Sequence, residues 1–216
     1  MAGPVRRNGY ITFASFNKFA KISPLTVKLW SRVLAAVPRS RLLIKSRGLQ
    51  DPGLCGPFLQ RFVAQGIGAD RITLMQPTPD PQGHLQTYGH ADIALDTFPY
   101  NGTTTTMEAL WMGVPVVTLA GDRHASRVGA SILSTLDLAD WVADSADEYV
   151  NIATRLAADV QALDTLRKSL RLQLSRSPLT DGARFTAQLE QAYLQMWQAT
   201  LIRSRPIEGL IKSQER

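Results

Sequence analysis

The chain has 216 residues, 44% of them hydrophobic, and this length suits one globular α/β domain with a helical addition. Its formal charge of +6 fits either an arginine-rich solvated surface or an anionic ligand. No basic run is long enough for a nucleic-acid-binding tail, and basic residues seldom alternate with aromatic ones, so nucleic acid is not an expected partner.

The single cysteine, Cys55, excludes a disulfide within one chain and a cysteine-based metal site. His84, His90 and His124 lack metal-ligand spacing, so no metal is expected. Residues 1–9 have no apolar core of a signal peptide, and no segment approaches the ~20 apolar residues of a membrane span. These observations predict a cytoplasmic protein with no membrane partner.

Strands and helices alternate along most of the chain. Hydrophobic period and turn residues predict strands near residues 10–16, 41–45, 71–75, 91–95 and 114–118. Helices are predicted near residues 24–36, 52–65, 84–88 and 107–111, and a loop at 121–128 enters another. This alternation predicts a Rossmann-like, doubly wound parallel sheet with right-handed crossovers.

The last part of the chain is predicted to be helical. Residues 146–176 keep a continuous helical period, and a final amphipathic helix covers about 182–199. A stripe of Leu, Tyr, Met and Trp on this last helix favours core packing over a ligand role. We therefore expect one domain over residues 10–200, with flexible tails at 1–9 and 204–216.

Four consecutive threonines, residues 103–106, lie between a predicted strand and a predicted helix. The first turn of a helix has unpaired N–H groups and the positive end of the helix dipole, which together suit an anion. Threonine hydroxyls there could donate to a phosphate, or could form a polar helix cap without any ligand. The loop contains neither a dinucleotide fingerprint nor a P-loop lysine, so both interpretations stay open at this point.

Other chemically useful residues follow the predicted strands, whose carboxyl ends form the ligand-binding edge of such sheets. Lys21 could neutralise a diphosphate or be a solvated loop lysine. His84 could stack on a base or lie on the surface. Glu108 could accept from ribose hydroxyls or be a first-turn acid favoured by the dipole. Asp96 is interpreted as a structural cap of the threonine-rich loop.

Five stretches, in this order, resemble the C-terminal half of the catalytic region of O-linked N-acetylglucosamine transferases. Bacterial members and the plant SPINDLY-type fucosyltransferases share the pattern, which covers roughly residues 10–197. The stretches are FNKFAKISP at 16–24, LDTFPYNGTTT at 95–105, GVPVVT at 113–118, ASRV at 125–128 and YLQMW at 193–197.

The resemblance implies the second, nucleotide-sugar-binding domain of a GT-B glycosyltransferase, in which two Rossmann-like domains face each other. Lys21 matches the catalytic lysine that contacts the diphosphate and supports the leaving group. Residues matched to nucleotide contacts are Asn17, Lys18, His84, Thr103, Thr104, Thr105 and Glu108.

Thr104 and Thr105 match phosphate contacts, and His84 matches the histidine packed on uracil. Asn17 matches an asparagine near the donor. Glu108 replaces a shorter ribose-binding aspartate. Lys18 and Thr103 stand where animal members have glutamine and histidine, and Pro81 where they have a uracil-contacting lysine. These departures leave base and sugar recognition open.

The activity implied is inverting transfer of a sugar, N-acetylglucosamine foremost, from a UDP-sugar to Ser/Thr hydroxyls of proteins, with no metal or other cofactor. The family's acceptor-activating histidine, protein-acceptor cleft and tetratricopeptide repeats belong to preceding domains. We therefore expect a donor-binding half that needs that N-terminal catalytic domain or a partner chain and is little active alone. A non-catalytic nucleotide-binding module and a scaffold that has lost its ligand remain alternatives.

Overall fold

The computed structural model describes residues 3–203. Within this range, six parallel strands form one sheet. The strands are β1 (Thr12–Ser15), β2 (Arg41–Lys45), β3 (Ile72–Met75), β4 (Ile93–Leu95), β5 (Val116–Leu119) and β6 (Val142–Ala143). Their order is β3-β2-β1-β4-β5-β6, and each neighbouring pair is parallel. The predicted doubly wound sheet is therefore confirmed, whereas the two-residue strand β6 is too short to show a period in the sequence.

Helices connect and follow the strands. They are α1 (Val5–Asn8), α2 (Pro24–Ala36), α3 (Pro52–Val63), α4 (Pro81–Gln86), α5 (Thr104–Trp111), α6 (Val128–Thr135), α7 (Ala146–Ala158), α8 (Val160–Ser175) and α9 (Gly182–Arg203). Side-chain caps start several of them: Ser23 Oγ accepts from the N–H of Thr26 at 3.1 Å, and Asp51 Oδ1 accepts from Gly53 at 2.8 Å. A proline follows each cap at the first helical position, where its missing N–H costs nothing.

The continuous helix predicted over residues 146–176 is in fact two helices, α7 and α8. Asp159 separates them with an extended backbone, φ −116° and ψ 90°. Its Oδ1 accepts a hydrogen bond from the N–H of Ala162 at 2.8 Å, so it caps α8. A periodic apolar pattern continues across such a break because both helices pack the same kind of face inwards, which is why the period alone missed it.

The core fixes the carboxyl end of β4, where the threonine-rich loop begins. Trp30 on α2 and Tyr149 on α7 are completely buried. Their polar atoms both point at the carbonyl oxygen of Asp96: the Tyr149 hydroxyl donates to it at 3.0 Å and the Trp30 indole N–H at 3.4 Å. Two helices thus hold one backbone position at the edge of the sheet.

Residues 3–8, predicted as part of a flexible tail, include the short helix α1. The Gly3 N–H donates to Asp164 Oδ1 at 3.0 Å, and the Val5 N–H donates to Asp92 Oδ1 at 3.1 Å. The predicted tail at 204–216 lies outside the described residues.

The chain divides into two compact units, one ending at Ser177 and one beginning at Pro178. Helix α9 belongs to the second unit, and the described residues of that unit do not themselves provide the core packing predicted for its apolar stripe. Phe185, Tyr193, Met196 and Trp197 are 56–62% exposed. None of the helices within residues 3–203 is long and apolar enough to cross a membrane.

Gly113, directly after α5, gives a stability prediction. Its φ is +76°, and an added Cβ would lie 2.5 Å from the backbone oxygen of Arg167 on α8. We expect Gly113→Ala to lower the free energy of unfolding by about 3 kcal/mol, from left-handed backbone strain and overpacking together. Chemical denaturation measures this loss.

Gly66→Ala is the matched control for that prediction. Gly66 has a similar φ of +81°, but an added Cβ would meet nothing within 4 Å. We expect it to cost only about 1 kcal/mol, from strain alone. Equal losses in the two variants would show that the contact with α8 is unimportant.

Candidate functional site

The loop after β4 is built around one buried carboxylate. Asp96 accepts hydrogen bonds from the N–H groups of Gly102 and Thr97 at 2.7 and 2.8 Å, and from the Thr118 hydroxyl at 2.8 Å. Burial raises the pKa of Asp96 to about 6, although these donors and the nearby Lys21 oppose the rise. The interpretation of Asp96 as a structural cap is confirmed. We call residues 96–106, which it organises, the threonine loop.

The threonine loop leads into α5 with free backbone donors. Within the described residues, the N–H groups of Thr104, Thr105 and Thr106 have no hydrogen-bond acceptor, and the Thr103 side chain does not cap the helix. Thr103 and Thr104 are exposed to solvent. The helix start therefore presents unpaired N–H groups and a positive dipole end outwards, which is an arrangement suited to an anion.

A glycine is required at the bend of this loop. An added Cβ on Gly102 would lie 2.4 Å from Thr105 Oγ1 and 3.0 Å from Asn17 Oδ1. The Thr105 hydroxyl donates to that same Asn17 oxygen at 2.9 Å. The absence of a side chain at Gly102 thus lets the loop after β1 approach the start of α5.

Lys21, from the loop after β1, also reaches the threonine loop. Its Nζ donates to the carbonyl oxygen of Asn101 at 2.7 Å and lies 3.9 Å from the centroid of the Tyr100 ring. Burial lowers the pKa of Lys21, while Asp96 partly offsets this effect. The side chain is half-buried and reaches the loop just before α5, so its charge could act on an anion held at that helix start.

A second group of polar side chains includes Glu108 of α5. We call it the Lys45 cluster: Lys45, His84, Tyr88 and Glu108. His84 Nε2 and the Tyr88 hydroxyl lie 2.9 and 3.0 Å from Glu108 Oε2, and Lys45 Nζ lies 3.0 Å from His84 Nδ1. The His84 ring and the Glu108 carboxylate are thus paired, and their side chains are 29% and 25% exposed.

Burial and charge shift the protonation of this cluster. Burial lowers the pKa of Lys45, with the Glu108 carboxylate opposing the shift. Burial, and then the charge and hydrogen bond of Glu108, raise the pKa of Tyr88 well above its usual range, so this phenol keeps its proton and acts as a donor.

The structure brings most of the predicted site residues together. Asn17, Lys21 and Thr105 meet around the threonine loop, and His84 and Glu108 pair directly. Lys18 is exposed in the loop after β1, and no hydrogen bond of its side chain occurs within residues 3–203.

Sequence reasoning missed the roles of Lys45 and Tyr88. Lys45 ends an apolar strand at the ligand edge, a signal that could have raised its priority, whereas the packing of Tyr88 against Glu108 has no signature in the sequence. In the part of the chain that is described, no three His, Cys, Asp or Glu side chains form a group that could hold a metal.

The fold and site define a Rossmann-type α/β domain with lysine, helix-start N–H groups and a His–Glu pair along its carboxyl edge. The profile of Glycosyl transferase family 41 matches residues 6–189, and the chain belongs to this family.

Similar proteins agree with this assignment. The chain is 48% identical over 198 residues to a tomato (Solanum lycopersicum) protein named probable UDP-N-acetylglucosamine–peptide N-acetylglucosaminyltransferase SPINDLY, covering 90% of this chain. It is 34% identical over 188 residues, 87% of this chain, to UDP-N-acetylglucosamine–peptide N-acetylglucosaminyltransferase of Caenorhabditis elegans. A structure of a Thermobaculum terrenum O-GlcNAc transferase mutant superimposes with a TM-score of 0.84 and 41% identity, over 89% of this chain and 37% of that one. The fold is that of a GT-B domain.

The chain spans 21% of the length of the tomato relative and 16% of the nematode one. For this chain, the activities of those whole proteins are therefore proposals.

Proposed function

We propose that this chain is the UDP-sugar-binding half of an inverting glycosyltransferase that transfers a sugar, N-acetylglucosamine foremost, to Ser/Thr hydroxyls of proteins. The observation that carries the proposal is that Lys21 contacts the Asn101 carbonyl in the loop that leads directly into the free N–H groups of α5. The names of the tomato and nematode relatives supply the donor, the sugar and the protein acceptor.

The proposed chemistry needs negative charge stabilised on a departing phosphate. When the bond between the sugar and the diphosphate breaks, the electron pair goes to the phosphate oxygen. Lys21 and the start of α5 would stabilise this charge without a metal, since fixed donors and a cation in a partly buried site act strongly on developing charge. The Lys45 cluster, which includes Glu108 of α5, would receive the base and ribose.

We also propose that the 216 residues by themselves turn over little substrate and require a first catalytic domain, in the same protein or on a partner chain. That domain would activate the acceptor hydroxyl and hold the protein substrate. Robust transfer by the purified chain alone would overturn this part of the proposal.

A thermal-shift titration with UDP tests donor binding. At UDP concentrations about 100-fold above the dissociation constant, mass action stabilises the folded state by about 2.7 kcal/mol. For a chain of this size we expect the melting temperature to rise by roughly 5–10 °C. No shift with UDP or UDP-N-acetylglucosamine would leave only the scaffold alternative.

Two further experiments test the uracil assignment and distinguish a transferase half from a non-catalytic nucleotide-binding module. GDP shares the ribose and diphosphate, so a larger shift with GDP than with UDP would keep the phosphate site but overturn the uracil assignment. Mixing the chain with a first catalytic domain of the family and a UDP-sugar should restore transfer. Binding without any transfer in that mixture would favour a non-catalytic nucleotide-binding module.

A further inference from the structure

The Lys45 cluster contains a buried charge that the proposed function does not use. Lys45 ends β2 and is only 3% exposed. Its Nζ lies 3.0 Å from each of three acceptors: Thr78 Oγ1, Thr87 Oγ1 and His84 Nδ1. An ammonium group has three N–H donors, and each of these three acceptors can receive one of them.

The hydrogen-bond directions within the cluster fix the tautomer of His84. The Thr87 hydroxyl donates its own hydrogen to the Gly83 carbonyl at 2.8 Å, so it accepts from Lys45. An ammonium nitrogen has no lone pair and can only donate, so the hydrogen between Lys45 Nζ and His84 Nδ1 belongs to Lys45. His84 Nδ1 therefore accepts, and its hydrogen lies on Nε2.

This tautomer determines how Glu108 is held. The Nε2–H of His84 donates to Glu108 Oε2 at 2.9 Å. The Tyr88 hydroxyl lies 3.0 Å from the same oxygen and 3.2 Å from the Thr105 carbonyl, and its hydrogen favours the nearer, charged acceptor. Among the described residues, Oε1 of the same carboxylate has no hydrogen-bond donor. One oxygen of Glu108 is thus anchored and the other stays available to a ligand.

Stability alone does not account for a lysine at this position. Burying an ammonium group costs desolvation energy, and apolar replacement of buried charges of similar volume is often neutral or stabilising. An apolar side chain of the same length would fill the space beside Phe16, whose ring centroid lies 5.6 Å from the Lys45 ammonium. What it could not do is donate to His84.

Building on the proposed function, we propose that Lys45 is a positioning residue for nucleoside recognition. It sets His84 as the Nε2–H tautomer and, through this ring, orients Glu108, so that the ribose meets a single free carboxylate oxygen. Such pre-organisation strengthens binding because less ordering remains to be done when the ligand arrives.

The first test needs no nucleotide. Nitrogen-15 NMR of the imidazole in the free wild-type chain distinguishes protonated from unprotonated ring nitrogens. We expect the hydrogen of His84 on Nε2, with Nδ1 as an acceptor. A hydrogen on Nδ1, or an even mixture of tautomers, overturns the proposal whether or not the chain binds UDP.

The second test measures coupling between Lys45 and His84. We expect Lys45→Met to weaken UDP binding about tenfold, the equivalent of one lost hydrogen bond, and to leave pyrophosphate binding unchanged. In a His84→Ala background, the same substitution should weaken UDP binding less than twofold. The exposed Lys28→Met serves as the control. Equal losses in both backgrounds would assign Lys45 to packing alone.

If the methionine variant does not fold, Lys45→Leu, which also removes every N–H donor, replaces it in this comparison. If the wild-type chain binds neither UDP nor pyrophosphate, the proposed function fails, while NMR of the wild-type and Lys45→Met chains still decides whether Lys45 sets the His84 tautomer.

Discussion

Replacing Lys21 with alanine is expected to weaken UDP binding about 30-fold, corresponding to about 2 kcal/mol for a lost charge-assisted hydrogen bond. The ammonium group now lies 2.7 Å from the Asn101 carbonyl, in the loop that leads into the free N–H groups of α5. A diphosphate there would take over this contact, and alanine offers no charge in return. Isothermal titration calorimetry of the two chains with UDP measures the effect.

Uridine separates the phosphate from the nucleoside in this experiment. It lacks the diphosphate, so its affinity should be the same for wild type and Lys21→Ala. Lys28→Ala, an exposed lysine on α2, controls for a general change in charge and should bind UDP like wild type. Unchanged UDP affinity in Lys21→Ala would remove this residue from the diphosphate site.

The second large effect is expected at Asp96, which we predict to be the main support of the threonine loop. Asp96→Ala leaves the N–H groups of Thr97 and Gly102 and the hydroxyl of Thr118 without their present acceptor in a buried site. We expect a loss of about 3 kcal/mol in the free energy of unfolding at pH 7. Asp96→Asn keeps one acceptor oxygen and removes the buried charge, so it should cost less than about 1 kcal/mol.

The same carboxyl group predicts a pH dependence of stability. Its pKa is about 6 in the folded chain and near 3.9 in an unfolded chain. Between these values the folded state keeps a proton that the unfolded state has released, so stability falls as the pH rises from about 4 to about 6. The pKa difference corresponds to a contribution of about 3 kcal/mol, fully present below pH 4 and lost above pH 6.

Asp96→Asn isolates this contribution. Burial also raises the pKa of Asp92, so wild type and variant share that second effect. Urea denaturation of both chains from pH 4 to pH 7 should show the variant gaining stability relative to wild type as the pH rises. A difference that stays constant over this interval would mean that Asp96 does not titrate there.

Local sequence determined the elements and their order. Apolar period, helix caps followed by proline such as Ser23 and Asp51, and glycine after helix ends are local signals, because a strand or helix depends mainly on residues within a few positions. Parallel βαβ connections then allow few topologies, and the sheet has the predicted doubly wound form. The same local signals missed the break at Asp159, where one capping residue interrupts a pattern that continues unchanged on both sides.

The threonine-rich loop was identifiable as a candidate site because strand, glycine and helix start follow each other directly along the chain. Only the tertiary structure decided which residues support the loop and which side chains pair with each other. Asp96 supports the loop, and the Thr105 hydroxyl donates to Asn17 Oδ1, 88 positions away in the chain. Lys45 lies 39 positions from His84, which in turn lies 24 from Glu108. A hydrogen bond depends on distances and directions within a few tenths of an ångström, and those are set by packing of the whole sheet against its helices rather than by neighbours in the chain.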